Sequence, residues 1–285
     1  DKLIGWLDGA DAQQLRVDPE GGNFTWRIRC ADAERIPWID VAWHNKFILH
    51  GAGYEGRYNG GLDVKLHGIY SDDYMATEVL SGRPAMVSQP ISRDVVRKYW
   101  LLNDAMQALA LDRIEAVEFA GGNIHRQHVR WERGGEVWVN RGAEDWSVDG
   151  HVLPQYGFYA RLPGQAGVHE TAVERRDGRV VEWSRAPAMT YLNGRGAEAE
   201  FGAAATSGAV RLERAGDTLT LTPAPEAASF RVRLHWSRLP WKLPPPRQAE
   251  ALREDGSVAA APPLQREGDD IVLECAAGVF AYRLR

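Results

Sequence analysis

The sequence predicts an α+β chain in which a mixed α/β segment leads into an all-β region. Three observations carry that reading. Helical periodicity is confined to residues 71–111. From about residue 113 onward, short alternating strands recur with Asp-Gly and Gly-Gly turns between them. A rigid proline-rich loop, Leu239 to Pro246, interrupts the later strands without starting a helix.

Taken in order, Leu3-Ile4-Gly5-Trp6-Leu7 is a short apolar run that predicts a buried strand, with Asp8 and Asp11 just past its end. Asn23 to Cys30 alternates, with Phe24, Trp26 and Ile28 on one face and Thr25, Arg27 and Arg29 on the other. Ile36 to Leu49 is a second apolar stretch, broken by His44-Asn45-Lys46. It leads into a glycine-rich loop, Gly51 to Gly61, of a kind that tolerates unusual backbone angles and close ligand approach.

A first helix is predicted from Ser71, a good N-cap, with Asp72 and Asp73 in the first turn where they complement the helix dipole. It stops at Gly82, with Pro84 beyond. A second starts at Ser92 and runs to about Leu111, with Val95, Tyr99, Leu102, Met106 and Leu109 as its apolar stripe. Between them Ala85-Met86-Val87-Ser88 reads as a short buried strand, so that helix, strand and helix form the closing part of a βα architecture.

Ile114 to Phe119 predicts the first strand of the β region. His125–Arg133 and Glu136–Asn140 flank Gly134-Gly135 as a hairpin. Turns follow at Asp149-Gly150, Asp177-Gly178, Gly216-Asp217 and Asp255-Gly256. Phe230, Val232, Leu234 and Trp236 alternate with polar residues, and Phe280, Tyr282 and Leu284 close the chain as a last strand. The expected organisation is a barrel-like segment over 1–112 and an all-β region over 113–285, with a β-sandwich domain from about 165 to 285.

Bulk properties narrow the function classes. The net charge of -5 argues against a nucleic-acid partner, because phosphate binding needs a basic face. No apolar run approaches the roughly 18 residues of a membrane helix. The two cysteines, Cys30 and Cys275, read as buried free thiols. Eleven Trp stand beside nine Tyr and seven Phe. Sugar rings stack on Trp, although each single Trp is first a core residue. Phosphate-binding glycine loops, nucleophile elbows and His-Glu-x-x-His or paired Cys-x-x-Cys motifs are absent, and no cofactor is expected. His125 and His128 fall on opposite faces of their strand, which argues against a shared metal.

What remains is carboxylate chemistry. Glycoside hydrolysis needs one carboxyl as acid and a second as nucleophile or base. The pool is Asp8, Asp11, Asp40 and Asp73, each near a predicted strand or helix end. Asp8 and Asp11 equally suit a turn, and Asp72 and Asp73 a helix cap. Asp40 sits inside the apolar run Pro37 to Trp43, where a carboxylate must be bonded or functional. Trp43, His44, His50 and Tyr54 lie nearby and suit sugar stacking and hydroxyl binding, or packing.

Ile36-Pro37-Trp38-Ile39-Asp40 through Leu49-His50-Gly51-Ala52-Gly53 is similar to a late-strand segment of large bacterial barrel proteins classed as glycoside hydrolases. The resemblance continues through Ser71-Asp72-Asp73-Tyr74, Thr77 to Gly82 and the helix ending near Leu111. It then covers Val137 to Gly142, Trp146 and Leu153-Pro154-Gln155-Tyr156-Gly157-Phe158, which looks like the passage from barrel to accessory β-sandwich. It spans roughly residues 30–160 and implies a βα barrel with C-terminal β-domains, acting on glycosides without a cofactor. A full barrel takes about 250 residues, and only 112 precede the β region here. The chain therefore reads as a C-terminal portion of a larger polypeptide, and a secreted or periplasmic setting fits a polysaccharide substrate. The alternative is a non-catalytic carbohydrate-binding or structural module, and a third class is a β-rich lyase or epimerase. The first two are separated by geometry. Catalysis needs two carboxylates in one cleft, about 5–5.5 Å apart if retaining or about 6.5–9.5 Å if inverting, whereas a binding module needs only an aromatic-lined groove.

Overall fold

The computed structural model describes residues 38–46, 48, 64–87, 90–164, 166–225 and 228–285. The readings of Leu3–Leu7, of Asn23–Cys30 and of the Gly51–Gly61 loop lie outside the described residues. The chain divides into two compact units, one of residues 1–89 and 102–175, the other of 90–101 and 176–285. Both are β-rich, and the strands pair antiparallel.

Four helices are described: α1 (Trp38–Trp43), α2 (Val64–His67), α3 (Asp72–Ser81) and α4 (Arg93–Leu109). The late-strand expectation at Asp40 is corrected by α1. A six-residue apolar run does not distinguish strand from buried helix by periodicity, and here the His44 N–H closes a helical turn onto the Asp40 carbonyl at 3.1 Å. α3 has the predicted ends. Ser71 accepts a hydrogen bond from the Tyr74 N–H at 3.2 Å, and Gly82 closes the helix at φ 66°. That backbone angle suits glycine, and there is also no room for a side chain. A Cβ at Gly82 would sit 2.7 Å from the Trp131 ring and 2.8 Å from His44 Nε2.

The strand expected at Ala85–Ser88 does not form over its described residues. Met86 instead gives its N–H to the Glu78 carboxylate at 2.6 Å, and Val87 is exposed. α4 matches its predicted span, but its stripe is rotated. Lys98, Trp100, Leu101, Leu102, Ala105 and Leu109 are buried, while Tyr99 is 54% exposed. Residues of α4 up to Leu101 belong to the second unit and those from Leu102 to the first.

The first unit holds β1 (Ile114–Phe119), β2 (Arg126–Trp131), β3 (Glu136–Asn140), β4 (Trp146–Val148), β5 (His151–Leu153), β6 (Phe158–Gly164) and β7 (Gly167–Arg176). Its sheet runs β1-β2-β3-β6-β7, with β4-β5 a separate hairpin. Asp149 and Gly150 take φ 47° and 82° in the two-residue turn of that hairpin, the positive pair that matches strand twist. Val129, Trp131, Val137, Val139, Phe158 and Ala160 are buried in its core.

The second unit holds β8 (Arg179–Ala186), β9 (Met189–Asn193), β10 (Ala199–Glu200), β11 (Ala204–Thr206), β12 (Ala209–Ala215) and β13 (Thr218–Pro223). It continues with β14 (Phe230–His235), β15 (Ala249–Leu252), β16 (Val258–Ala260), β17 (Gln265–Glu267), β18 (Asp270–Cys275) and β19 (Ala281–Leu284). Two antiparallel sheets result, β8-β9-β12-β13-β19-β15-β16 and β10-β11-β14-β18-β17. Val210, Leu212, Leu219, Leu221 and Leu284 from the first and Val232, Leu234 and Val272 from the second are buried. The alternation predicted at Val232 and Leu234 is present, whereas Trp236 falls in a single 3-10 turn after β14. Phe280, read as the start of the last strand, lies before it and is half exposed.

Candidate functional site

The predicted carboxylates that are described lie at the centre of ion pairs. Asp40 is fully buried. Arg83 donates to it through both edges of its guanidinium, Nε to Oδ1 at 2.9 Å and Nη2 to Oδ2 at 2.8 Å. Asp73, in the first turn of α3, accepts from Arg141 Nη1 at 2.5 Å. Arg141 also donates to Gln127 Oε1 at 3.0 Å and to the Thr77 hydroxyl at 2.8 Å. Neither carboxylate presents an oxygen to solvent, since the residues are 0% and 1% exposed. His44 is likewise buried. Its Nδ1 lies 2.7 Å from the Asp112 carbonyl, its Nε2 lies 3.2 Å from that of Gly82, and its ring meets the edge of Trp131. Trp43, at the end of α1, is 39% exposed. Asp8, Asp11, His50 and Tyr54 lie outside the described residues.

Among the described residues, Trp100, Trp131, Trp138, Trp183 and Trp241 are buried. Trp138 belongs to a ladder of rings across the first unit's sheet. His128 stacks on it at 4.7 Å, it stacks on Tyr159 at 5.5 Å, and His151 covers Tyr159 at 3.8 Å. These ring faces are spent on one another, so the ladder ties strands together rather than offering a stacking surface. Burial, together with the hydrogen bond to Glu170, pushes the Tyr159 hydroxyl above its usual range.

A buried polar cluster of the second unit was not anticipated. Glu182, fully buried on β8, accepts from Arg97 Nε at 2.7 Å and Arg195 Nη2 at 2.7 Å. It also accepts from the Tyr191 hydroxyl at 2.6 Å and Asn193 Nδ2 at 2.7 Å. Burial works against its charge, but the two guanidiniums outweigh that and hold its carboxyl well below the usual range. Tyr191 is pushed the other way, by burial and by the neighbouring Glu182 charge.

The second unit also carries a groove of about 770 Å³. Trp100, Phe230, Leu252 and Phe280 supply apolar wall, and Arg211, Glu213, Arg253 and Glu254 supply charge. Arg211 Nη2 pairs with Glu213 at 2.7 Å, while Arg211 Nε is sealed from solvent with no hydrogen-bond partner among the described residues. Cys275 lines the same groove as a free thiol, pushed up to about 12 by burial and then by Glu274, so it is protonated at neutral pH and no nucleophile.

Comparison with protein families, curated proteins and solved structures finds no significant match. The chemistry of the chain is therefore read from its own groove. Among the described residues, no group of three or more His, Cys, Asp or Glu could hold a metal ion, and no helix is long and apolar enough to cross a membrane. A lining of apolar side chains with a few charged hydrogen-bonding groups suits a polar ligand that also has an apolar face.

Proposed function

We propose that the described, β-rich part of the chain is a non-catalytic carbohydrate-binding portion of a carbohydrate-active protein, with the groove of the second unit as its sugar site. The observation that carries the reading is the groove's lining. Phe280, 50% exposed, offers a ring face to the C–H side of a sugar. Arg211, Glu213, Arg253 and Glu254 offer donors and acceptors to its hydroxyls. The burial of Asp40 and Asp73 in arginine pairs supports a structural role for both, because an acid/base carboxyl must reach the scissile bond. The test is isothermal titration of the chain with neutral oligosaccharides of several backbones. Binding of at least one, weakened tenfold or more in Phe280→Ala, is the expected result. Absence of binding across the panel contradicts the reading.

The sequence resemblance to glycoside hydrolases favours a second reading, in which a partial βα-barrel segment precedes the sheets and Asp8 and Asp11 supply the acid/base pair. Hydrolysis of aryl glycosides by the chain, abolished by Asp8→Asn or Asp11→Asn, is the outcome that reading requires.

A further inference from the structure

Four polar side chains that line the groove stand on one face of a single strand pair. Arg211 and Glu213 come from β12, Thr220 and Thr222 from β13. The antiparallel register sets Arg211 opposite Thr222 and Glu213 opposite Thr220. The alternate residues of the same strands, Val210, Leu212, Leu219 and Leu221, are buried on the other face. Resting on the sugar reading of the groove, we propose that Thr220 and Thr222 are its specificity-determining residues, bonding the hydroxyls of an uncharged sugar.

The two threonines differ from their cross-strand neighbours in being uncommitted. Arg211 Nη2 is spent on Glu213 at 2.7 Å. The hydroxyls of Thr220 and Thr222 make no hydrogen bond among the described residues, and both side chains are half-buried in the lining. A threonine hydroxyl both donates and accepts, as a sugar hydroxyl does, so each can pair with one. Two positions along a strand separate them by roughly 6.6 Å. That spacing is on the scale of one pyranose ring, so the pair addresses a single sugar unit at two points. Phe280 in the same lining supplies the ring face for its C–H side.

The charge of the lining selects against an ionic sugar. Among the described residues it holds two arginines, Arg211 and Arg253, and two glutamates, Glu213 and Glu254. These balance, so neither an acidic nor a basic sugar gains net attraction there. Thr218 stands on the same face of β13 but outside the lining, which makes it an internal control.

The test titrates the full chain with cellotriose, mannotriose and maltotriose at low and high salt. Binding of at least one is expected, with an affinity that salt leaves unchanged. Thr220→Val and Thr222→Val keep the shape and strand preference of threonine and remove only the hydroxyl. Each should weaken that binding about three- to tenfold. The double variant should lose tenfold or more and narrow the differences between the three sugars. Thr222→Ser, which keeps a hydroxyl, should stay near native affinity, and Thr218→Val should match the native chain. Binding that is lost in Phe280→Ala but native in the folded double variant keeps the sugar site and overturns the threonine assignment. Steep weakening with salt overturns the uncharged sugar. Absence of binding by all three sugars overturns this inference together with the reading it rests on.

Discussion

Asp40 and Asp73 in the first unit and Glu182 in the second are buried in different ways. In the first, Asp40 and Asp73 each face a dry arginine, Arg83 and Arg141, with both partners at most 2% exposed at the side chain. In the second, one carboxylate, Glu182, faces two arginines whose side chains keep 17% and 22% exposure. In the sealed pairs, removing either member leaves the other where water cannot reach it. Around Glu182 the two arginines keep partial contact with water and can relax towards it. The sealed geometry of Asp40 and Asp73 suits a structural role, whereas the groove of the second unit is open to a ligand.

That contrast is broken most severely by Arg83→Met. It removes the bidentate arginine from a carboxylate that water cannot reach, and the expected loss is about 3–5 kcal/mol in urea unfolding. Glu182→Gln should cost less, about 1.5–3 kcal/mol, because Arg97 and Arg195 retain access to water. An equal or greater loss for Glu182→Gln would remove the distinction. Glu182 also predicts a pH dependence. Its lowered folded pKa gives stability that is present above the usual glutamate value and is lost as pH falls through the folded one, so Glu182→Gln should flatten the acid limb of the unfolding profile. Gly82→Ala should cost about 1–3 kcal/mol, through strain and the clash with Trp131 and His44.

The smallest expected effect is at His235, between Asp270 at 2.9 Å and Glu200 at 2.8 Å. Burial works against its charge, but the two carboxylates outweigh that and raise its pKa. A raised folded pKa gives stability that is complete below the usual histidine value and is lost as pH rises through the folded one. The urea midpoint of the native chain should therefore fall across the alkaline side of that range, and His235→Gln should remove this slope.

Local features were legible in the sequence. Ser71 and Gly82 set the ends of α3, Gly134-Gly135 and Asp149-Gly150 marked turns, and Tyr282 and Leu284 marked the buried face of the last strand. Each depends on chemistry within a few residues. The partners of the carboxylates were not legible, because Arg83 lies 43 positions from Asp40 and Arg141 lies 68 from Asp73. Tyr99 was placed on the buried stripe because spacing alone cannot choose between it and its neighbour Trp100. Glu182 could have been found. It stands between Val181 and Trp183, a carboxylate in an apolar run, the same feature that singled out Asp40. The groove joins α4 to β12, β13 and the segment after β18, which only the tertiary fold brings together.

The central claim is that the groove recognises sugar while the buried carboxylates serve the fold. Its most direct test is oligosaccharide titration of the native chain, Phe280→Ala and Asp40→Asn, each confirmed as folded. The account predicts native affinity in Asp40→Asn and at least a tenfold loss in Phe280→Ala. Native affinity in Phe280→Ala, with binding or turnover abolished in a folded Asp40→Asn, would contradict it.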